Sequence, residues 1–144
     1  MGDQRIYLAG PVAVKDNGGA GWRDRLAETY PDTEFLDPLA KWNAPAEELS
    51  IIEGEAGADQ VSVSEIVEAD KRLVDEADAV LIGYEHVRSV GTPMETHLAW
   101  QSDTPVVLWI RDGTAIGDIS PWYRYHVDAM TYNRDRAVEV ARDD

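Results

Sequence analysis

Two carboxylates lie among apolar neighbours in the sequence, and such positions are candidates for a functional site. Glu95 lies in the stretch SVGTPMETHLAW, 89–100, early in a predicted helix. Asp70 lies on the apolar stripe of another predicted helix, four residues after Ile66 and three before Leu73. A buried carboxylate is costly unless it has a partner, and perturbed carboxylates are frequent in active sites. The alternative for Glu95 is an acid that only stabilises the start of a helix, through the helix dipole or a cap. The alternative for Asp70 is a polar residue at the edge of the apolar stripe.

Tyr7 is a third candidate, because it alternates within the first predicted strand, RIYLAG at 5–10. A buried tyrosine hydroxyl needs a hydrogen-bond partner, and a carboxylate such as Glu95 would provide one. The alternative is an ordinary core tyrosine. Four neighbours of Glu95 are predicted to belong to the core: Met94, Leu98, Ala99 and Trp100.

A glycine-rich stretch, GPVAVKDNGGAGW at 10–22, follows the first predicted strand, at the place where many folds cradle phosphate groups. It has neither the GxGxxG spacing nor the Walker pattern, so it does not identify a nucleotide site by itself. Arg23, Arg25 and Arg88 are candidate phosphate contacts in a chain that has few cations. The alternative for each is a surface arginine.

Strand and helix patterns alternate along the chain, and the alternation predicts how these candidates are positioned. Residues 40–61 lack a clear period and are predicted to form a long loop, a candidate lid or substrate loop. The predicted strands are 5–10, 33–39, 78–84 and 104–110, and the predicted helices are 21–30, 62–77, the Glu95 segment and 133–142.

This order predicts a single α/β domain over 1–144, doubly wound, as a flavodoxin/Rossmann-like three-layer sandwich. Its sheet would have four or five mostly parallel strands. Ligands bind at the carboxyl ends of such strands. The residues expected at that rim are the glycine-rich loop, Asp37, residues 85–89 and the start of the Glu95 helix.

The composition restricts the partners of the protein. Acidic residues number 28 against 13 basic ones, a net charge of −15, so the surface repels nucleic acid and anionic membranes. Three of the basic residues are lysine, and few lysines with dispersed acids indicate a protein from a salt-loving organism. The alternative is simply a soluble acidic protein.

The sequence also indicates the cellular compartment of the protein and argues against chemistry that uses cysteine or a metal ion. It contains no cysteine, which excludes disulfides, thiolate catalysis and cysteine zinc sites, and its three histidines are scattered, so we expect no metal. It has no apolar run as long as a membrane span and no signal-peptide core at its N-terminus. We therefore expect a cytoplasmic protein.

Five segments resemble a known family when they are taken together and in order: IYLAGPV, FLDPL, EADKRLVDEADAVLIG, SVGTPMETHLAW and TPVVLWI. They are similar to the nucleoside 2-deoxyribosyltransferase family over roughly residues 5 to 130. The specific features are the tyrosine of the first strand, the aspartate two turns before ADAV, which is Asp70, and the GT-x-x-E start of a helix. The GT-x-M-E…AW and SPW-x-RYH segments look most like the branch found in phages and archaea.

The resemblance implies a glycosyl transfer in which Glu95 is the nucleophile. Its carboxylate would attack C1′ of the deoxyribose, and a second base or water would capture the covalent intermediate. Asp70 matches the acid that gives a proton to the leaving base, and Tyr7 matches the residue that orients the nucleophile. The implied partner is a small nucleoside or nucleotide, with no metal or organic cofactor. The expected substrate-binding residues are Gly10, Arg23, Asp37, Arg88, Ser89, Gly91, Thr92, Met94 and His126.

One position departs from the transferases. They carry an acid six residues before the nucleophile, where this sequence has Ser89. A serine there resembles relatives that hydrolyse 2′-deoxynucleoside 5′-monophosphates, in which it contacts the phosphate. The open alternatives are therefore a deoxyribosyltransferase, a monophosphate N-glycosidase and, from another class, a nucleotide-binding sensor without turnover.

The resemblance also implies a homodimer or a larger homo-oligomer. In the transferases a neighbouring subunit contributes a residue near the C-terminal segment, and Tyr123, Arg124 or His126 would match it. Three tryptophans can stack on a base: Trp22, Trp42 and Trp122. The alternative for each is an ordinary position in the hydrophobic core.

Overall fold

Five parallel strands form one sheet in the computed structural model, which describes residues 4–11, 20–38, 63–87 and 89–142. In chain order the strands are β1 (Arg5–Ala9), β2 (Glu34–Leu36), β3 (Ala79–Tyr84), β4 (Val106–Ile110) and β5 (Ala129–Thr131). They lie side by side in the order β2-β1-β3-β4-β5. The helices are α1 (Ala20–Thr29), α2 (Val63–Glu76), α3 (Gly91–Gln101), α4 (Pro121–His126) and α5 (Arg134–Arg142), with a 3-10 turn at Ile116–Asp118.

Side chains alternate along the strands, so each face of the sheet has its own core. Tyr7 and Ala9 of β1 pack on the face that α2 and α3 cover, whereas Ile6 and Leu8 pack with α1 and α5 on the other face. β3 is buried along its whole length, as expected of a parallel strand covered on both sides. The predicted doubly wound α/β sandwich is therefore confirmed, with five strands. The strand order reverses between β1 and β3, which is where such sheets bind ligands.

The helix that carries Glu95 begins earlier than its position in the sequence indicated. α3 starts at Gly91, so Glu95 lies in the second turn and not in the first. The stabilisation of an acid by the helix dipole falls off within the first turn, so it does not account for this residue. Two of the neighbours that were expected in the core are exposed instead, Met94 at 64% and Trp100 at 41%.

The segment SPWYRYHVDAM forms a short helix followed by an edge strand. Ser120 Oγ accepts a hydrogen bond from the Trp122 N–H at 3.1 Å, and Pro121 occupies the first helical position, a common way to start a helix. After the helix, the Asp128 carboxylate accepts a hydrogen bond from the Val106 N–H at 2.8 Å. These bonds fix α4, which packs beside α3.

Some predicted features lie outside the described residues. They are most of the glycine-rich loop, the 40–61 segment, Arg88 and Trp42. In the described part of the chain, no helix is both long enough and apolar enough to cross a bilayer.

Replacing Gly83 with alanine should destabilise the fold, because the indole of Trp22 lies directly against this glycine of β3. A Cβ at Gly83 would be 2.6 Å from two carbons of the ring. The ring is itself confined, since it packs edge-on against Trp109 at 6.0 Å between centroids and has the Arg23 guanidinium 4.6 Å from its centre. Overpacking of this kind costs about 1–3 kcal/mol, so the melting temperature should fall by roughly 5 °C.

The matched control for this thermal-unfolding measurement is Gly117→Ala. A Cβ at Gly117 has no heavy atom within 4 Å. Equal shifts in melting temperature for the two variants would contradict the packing explanation.

Candidate functional site

The hydroxyl of Tyr7 donates a hydrogen bond to Glu95 Oε2 at 2.7 Å, and this pair is the centre of the candidate site. Tyr7 is fully buried in β1, and Glu95 reaches it from the second turn of α3. Burial raises the pKa of Tyr7 far above its ordinary value, and the charges of Glu95 and Asp70 raise it further. The phenol therefore stays protonated and holds one carboxylate oxygen of Glu95 in a fixed place.

A cavity of about 1150 Å³ opens over this pair. Its walls come from α2, from the end of β3, from the first two turns of α3 and from α4. Asp70 and Glu95 both line it, and both carboxylates act on the Tyr7 phenol electrostatically. Asp70 is partly buried on α2, as its position on the apolar stripe predicted. Two acids beside one cavity, one of them held by a buried donor, can supply a nucleophile and a proton donor.

The start of α3 forms one wall of the cavity. Ser89 Oγ accepts a hydrogen bond from the Thr92 N–H at 3.3 Å and donates one to Thr92 Oγ1 at 2.8 Å. Thr92 is buried, and its carbonyl accepts a hydrogen bond from the Thr96 hydroxyl at 2.8 Å. Ser89 and Gly91 both line the cavity. The N-terminus of a helix therefore borders the ligand space, and such an end favours an anion such as phosphate.

Arg23, Asp37 and Gly10 form a group at the carboxyl ends of β1 and β2, near enough for the charge of Arg23 to act on Tyr7. Arg23 is 1% exposed, and its guanidinium donates to the carbonyls of Leu8 at 3.4 Å and Gly10 at 3.2 Å. Asp37 Oδ1 lies 3.8 Å from Arg23 Nε. The interpretation of Arg23 as a surface arginine is therefore wrong. Its guanidinium braces the end of β1, and it does not belong to the described lining of the large cavity.

The ring of His126 is held on both sides within the wall that α4 provides. Its Nδ1 lies 2.7 Å from the Trp122 carbonyl oxygen, and its Nε2 lies 3.0 Å from Nδ1 of His97. Because a carbonyl oxygen can only accept, the His126 Nδ1 must carry a proton. Hydrogen bonds on both sides thus fix the orientation of the His126 ring at the cavity.

The three tryptophans that were candidates for base stacking have different environments. Trp22 is 3% exposed and packs against Gly83, so it lies in the core, which was the alternative given for it. Trp42 lies outside the described residues. Trp122 is 75% exposed and lines the cavity, where its indole can contact a ligand.

Tyr123 is a further aromatic residue of this wall. It lies edge-on to Tyr84, with 5.5 Å between ring centroids. Burial raises the pKa of Tyr123, and the neighbouring Tyr84 and Glu95 add to the increase, so this phenol also stays protonated beside the carboxylate.

The structure brings together only part of the predicted site. Tyr7 and Thr92 are buried next to the large cavity but do not line it. Among the polar residues of the lining, Lys71 and Tyr84 were not singled out from the sequence, whereas His86 belongs to residues 85–89, which were expected at the rim. Tyr84 is the last residue of a central strand, a position that could have indicated it. Predicted residues in the cavity lining are Asp70, Ser89, Gly91, Met94, Glu95 and His126.

The described residues contain no candidate metal site. No three histidine, cysteine, aspartate or glutamate side chains there are grouped so that they could hold an ion.

The sheet order and the cavity place the chain in the class of doubly wound α/β proteins that bind ligands at the carboxyl ends of their strands. Among solved structures, the chain is similar to a 2-deoxyribosyltransferase from the psychrotolerant bacterium Bacillus psychrosaccharolyticus. The TM-score is 0.69 at 16% identity, over 97% of this chain and 92% of that chain. It is also similar to a conserved protein from Enterococcus faecalis V583, with a TM-score of 0.64 at 16% identity over 96% of both chains.

At these identities the likeness establishes the fold alone. The sequence matches no family model and no curated protein.

Proposed function

We propose that this protein is an enzyme that cleaves or transfers the N-glycosidic bond of 2′-deoxynucleosides or their 5′-monophosphates. The observation that carries the proposal is the hydrogen bond from buried Tyr7 to Glu95, beneath a cavity that Asp70 also lines. The likeness in fold to a 2-deoxyribosyltransferase supports it. A protein that only binds its ligand has no need of a held carboxylate beside a second acid, so the pair favours catalysis.

In the proposed first step the Glu95 carboxylate attacks C1′ of the deoxyribose while the bond from C1′ to the base nitrogen breaks. The electron pair of that bond goes to the base, and Asp70, whose carboxylate must take up a proton before this step, delivers the proton that the base needs. The products are a free base and a covalent 2-deoxyribosyl ester of Glu95. Tyr7 stabilises the carboxylate orientation in which one oxygen faces the sugar.

In the second step a nucleophile attacks C1′ and releases the Glu95 carboxylate. A second base restores a nucleoside, and water gives the free sugar; the proton of the nucleophile returns to Asp70. The base would lie along the α4 wall, where Trp122 offers an exposed indole.

Hydrolysis of 5′-monophosphates is a second candidate function, and Ser89 favours it. A serine hydroxyl and a helix N-terminus at the cavity wall suit a phosphate group better than the acid of the transferases would. The absence of a negative charge at this position removes a repulsion that a phosphate would otherwise meet.

Ser89→Ala should lower kcat/KM for 5′-monophosphates while sparing the free nucleosides. The hydroxyl is the only group removed, and a hydrogen bond to a charged group is worth enough to change kcat/KM by roughly fivefold or more. The ratio of the two kcat/KM values is the quantity to measure, because loss of the bond to the Thr92 N–H affects both substrates alike. Equal losses on both substrates would exclude the phosphate role.

The test of the proposed function is a chromatographic screen in high-potassium buffer, chosen because the composition predicts a salt-adapted cytoplasmic protein. Each deoxynucleoside and each monophosphate is supplied with and without an acceptor base. A new nucleoside that forms only with the acceptor identifies a transferase, and free base from monophosphates without an acceptor identifies a hydrolase. Folded protein that binds these ligands but turns over none of them would instead be a sensor.

The proposal includes assembly into a homodimer or a larger homo-oligomer. Light scattering on the purified chain measures this directly, and a monomer at assay concentration that remains active would remove the need for a neighbouring subunit.

A further inference from the structure

A second cavity, of about 380 Å³, lies between α1 and α5 on the face of the sheet opposite Glu95. Three arginines line it: Arg25, Arg111 and Arg134. The chain has 13 basic residues against 28 acidic ones, so the convergence of three guanidinium groups on one small cavity requires a physical reason. Like charges repel, and their grouping is stable only when an anion or acidic side chains compensate.

Acidic side chains compensate two of the three arginines. Arg111 forms an ion pair with Glu85 at 3.1 Å, and Arg134 forms one with Asp135 at 3.3 Å. Within the described ranges Arg25 makes no ion pair, although it is close enough to act on Arg111. Burial lowers the pKa of Arg111 and the charge of Arg25 adds to this, whereas the carboxylates of Glu85 and Asp112 oppose it. Arg25 is therefore the arginine of this lining that has no ion pair among the described residues.

The remaining lining can strengthen the binding of an anion. Asn133 Oδ1 accepts a hydrogen bond from the Arg136 N–H at 2.8 Å at the start of α5, so the amide NH₂ of Asn133 is the group that can donate to a ligand. The rings of Trp22 and Trp109 form the apolar part of the wall and lower the local dielectric. Asp135 also lines the cavity, but it is engaged by Arg134 and by the Tyr30 hydroxyl.

We propose that this cavity is a binding site for a phosphate-type dianion, held by Arg25, Arg111 and Arg134. Guanidinium groups bind phosphate oxygens through paired N–H donors, and a dianion relieves the repulsion between Arg25 and Arg111. The site lies on the other side of the sheet from Tyr7 and Glu95, so it does not depend on the proposed enzymatic function. Both inorganic phosphate and the phosphate of a small phosphomonoester have the chemistry that this site recognises.

The test is isothermal titration calorimetry with inorganic phosphate and with ribose 5-phosphate, at the lowest salt in which circular dichroism shows folded protein. Low salt is needed because screening weakens such sites. We expect saturable binding to the parent and a loss of at least about fivefold in affinity for Arg25→Gln, since a charge-assisted hydrogen bond is worth ~1 kcal/mol or more. Arg134→Gln should show the same loss and replaces Arg25→Gln if that variant does not fold.

The matched control is Arg136→Gln, which removes one exposed arginine of α5 that pairs with Glu139 and does not line this cavity. Retained affinity in this control supports the site. The anion that binds more tightly, inorganic phosphate or ribose 5-phosphate, shows whether the site prefers free phosphate or a phosphomonoester. The proposal is overturned if neither anion binds, if Arg136→Gln weakens binding as much as Arg25→Gln, or if Ser89→Ala abolishes binding while Arg25→Gln does not. The last result would place the anion in the larger cavity.

Discussion

Replacing Glu95 with glutamine should reduce glycosidic cleavage by roughly a thousandfold or more, which corresponds to about 4 kcal/mol of barrier. The amide keeps the shape of the side chain and can still accept the hydrogen bond from Tyr7. It cannot act as an anionic nucleophile, so the covalent intermediate does not form. The measurement is the rate of base release from the substrate that the screen identifies, together with mass spectrometry of the quenched enzyme for a deoxyribosyl adduct.

A matched control for this change is Glu139→Gln, which alters an exposed glutamate of α5 that pairs with Arg136. We expect this variant to cleave at the parent rate. Cleavage by Glu95→Gln at near the parent rate, or an adduct on another residue, would show that the nucleophile has been misassigned.

Replacing Asp70 with asparagine should slow the cleavage of ordinary deoxynucleosides by roughly 10²- to 10⁴-fold, the range in which general acid catalysis contributes. Asparagine keeps the size and polarity of a side chain that lines the cavity on α2 but has no acidic proton to give. The loss should be much smaller for 7-methyl-2′-deoxyguanosine, because its base already carries a positive charge and leaves without being protonated. The comparison of the two substrates therefore separates proton donation from binding.

Asp75→Asn provides the control on the same helix, since Asp75 is exposed and does not line the large cavity. If Asp70→Asn slows both substrates equally, Asp70 positions the substrate and does not act as the acid.

The elements of the fold were predictable from local patterns. The apolar run of β3 indicated a strand covered on both faces, and the 3.6-residue period around Asp70 indicated a helix with an acid on its apolar side. Bounds were less predictable: α3 starts at Gly91, and its N-cap residue, Val90, provides no side-chain cap that a sequence pattern would reveal.

The burial and the neighbours of individual side chains were not predictable in the same way. Arg23 has the sequence neighbours of a surface arginine, yet it is buried because the carbonyls of Leu8 and Gly10 and the carboxylate of Asp37 surround it. Met94, with the sequence neighbours of a core residue, is exposed at a cavity. The grouping of Arg25 with Arg111 and Arg134 joins α1, the end of β4 and the start of α5, and no local pattern indicates it.

By itself, the sequence determined the alternation of strands and helices, the parallel sheet and the edge at which sheets of this kind bind ligands, because these follow from periodicity within each segment. It also marked Tyr7, Asp70 and Glu95 as polar groups among apolar ones. The tertiary structure decided which of these groups meet. Tyr7 and Glu95 are 88 positions apart, and they come within 2.7 Å because β1 pairs with β3 in a register that turns Tyr7 toward the face where α3 packs. Contacts of this length depend on strand register and helix packing together, which are properties of the assembled chain.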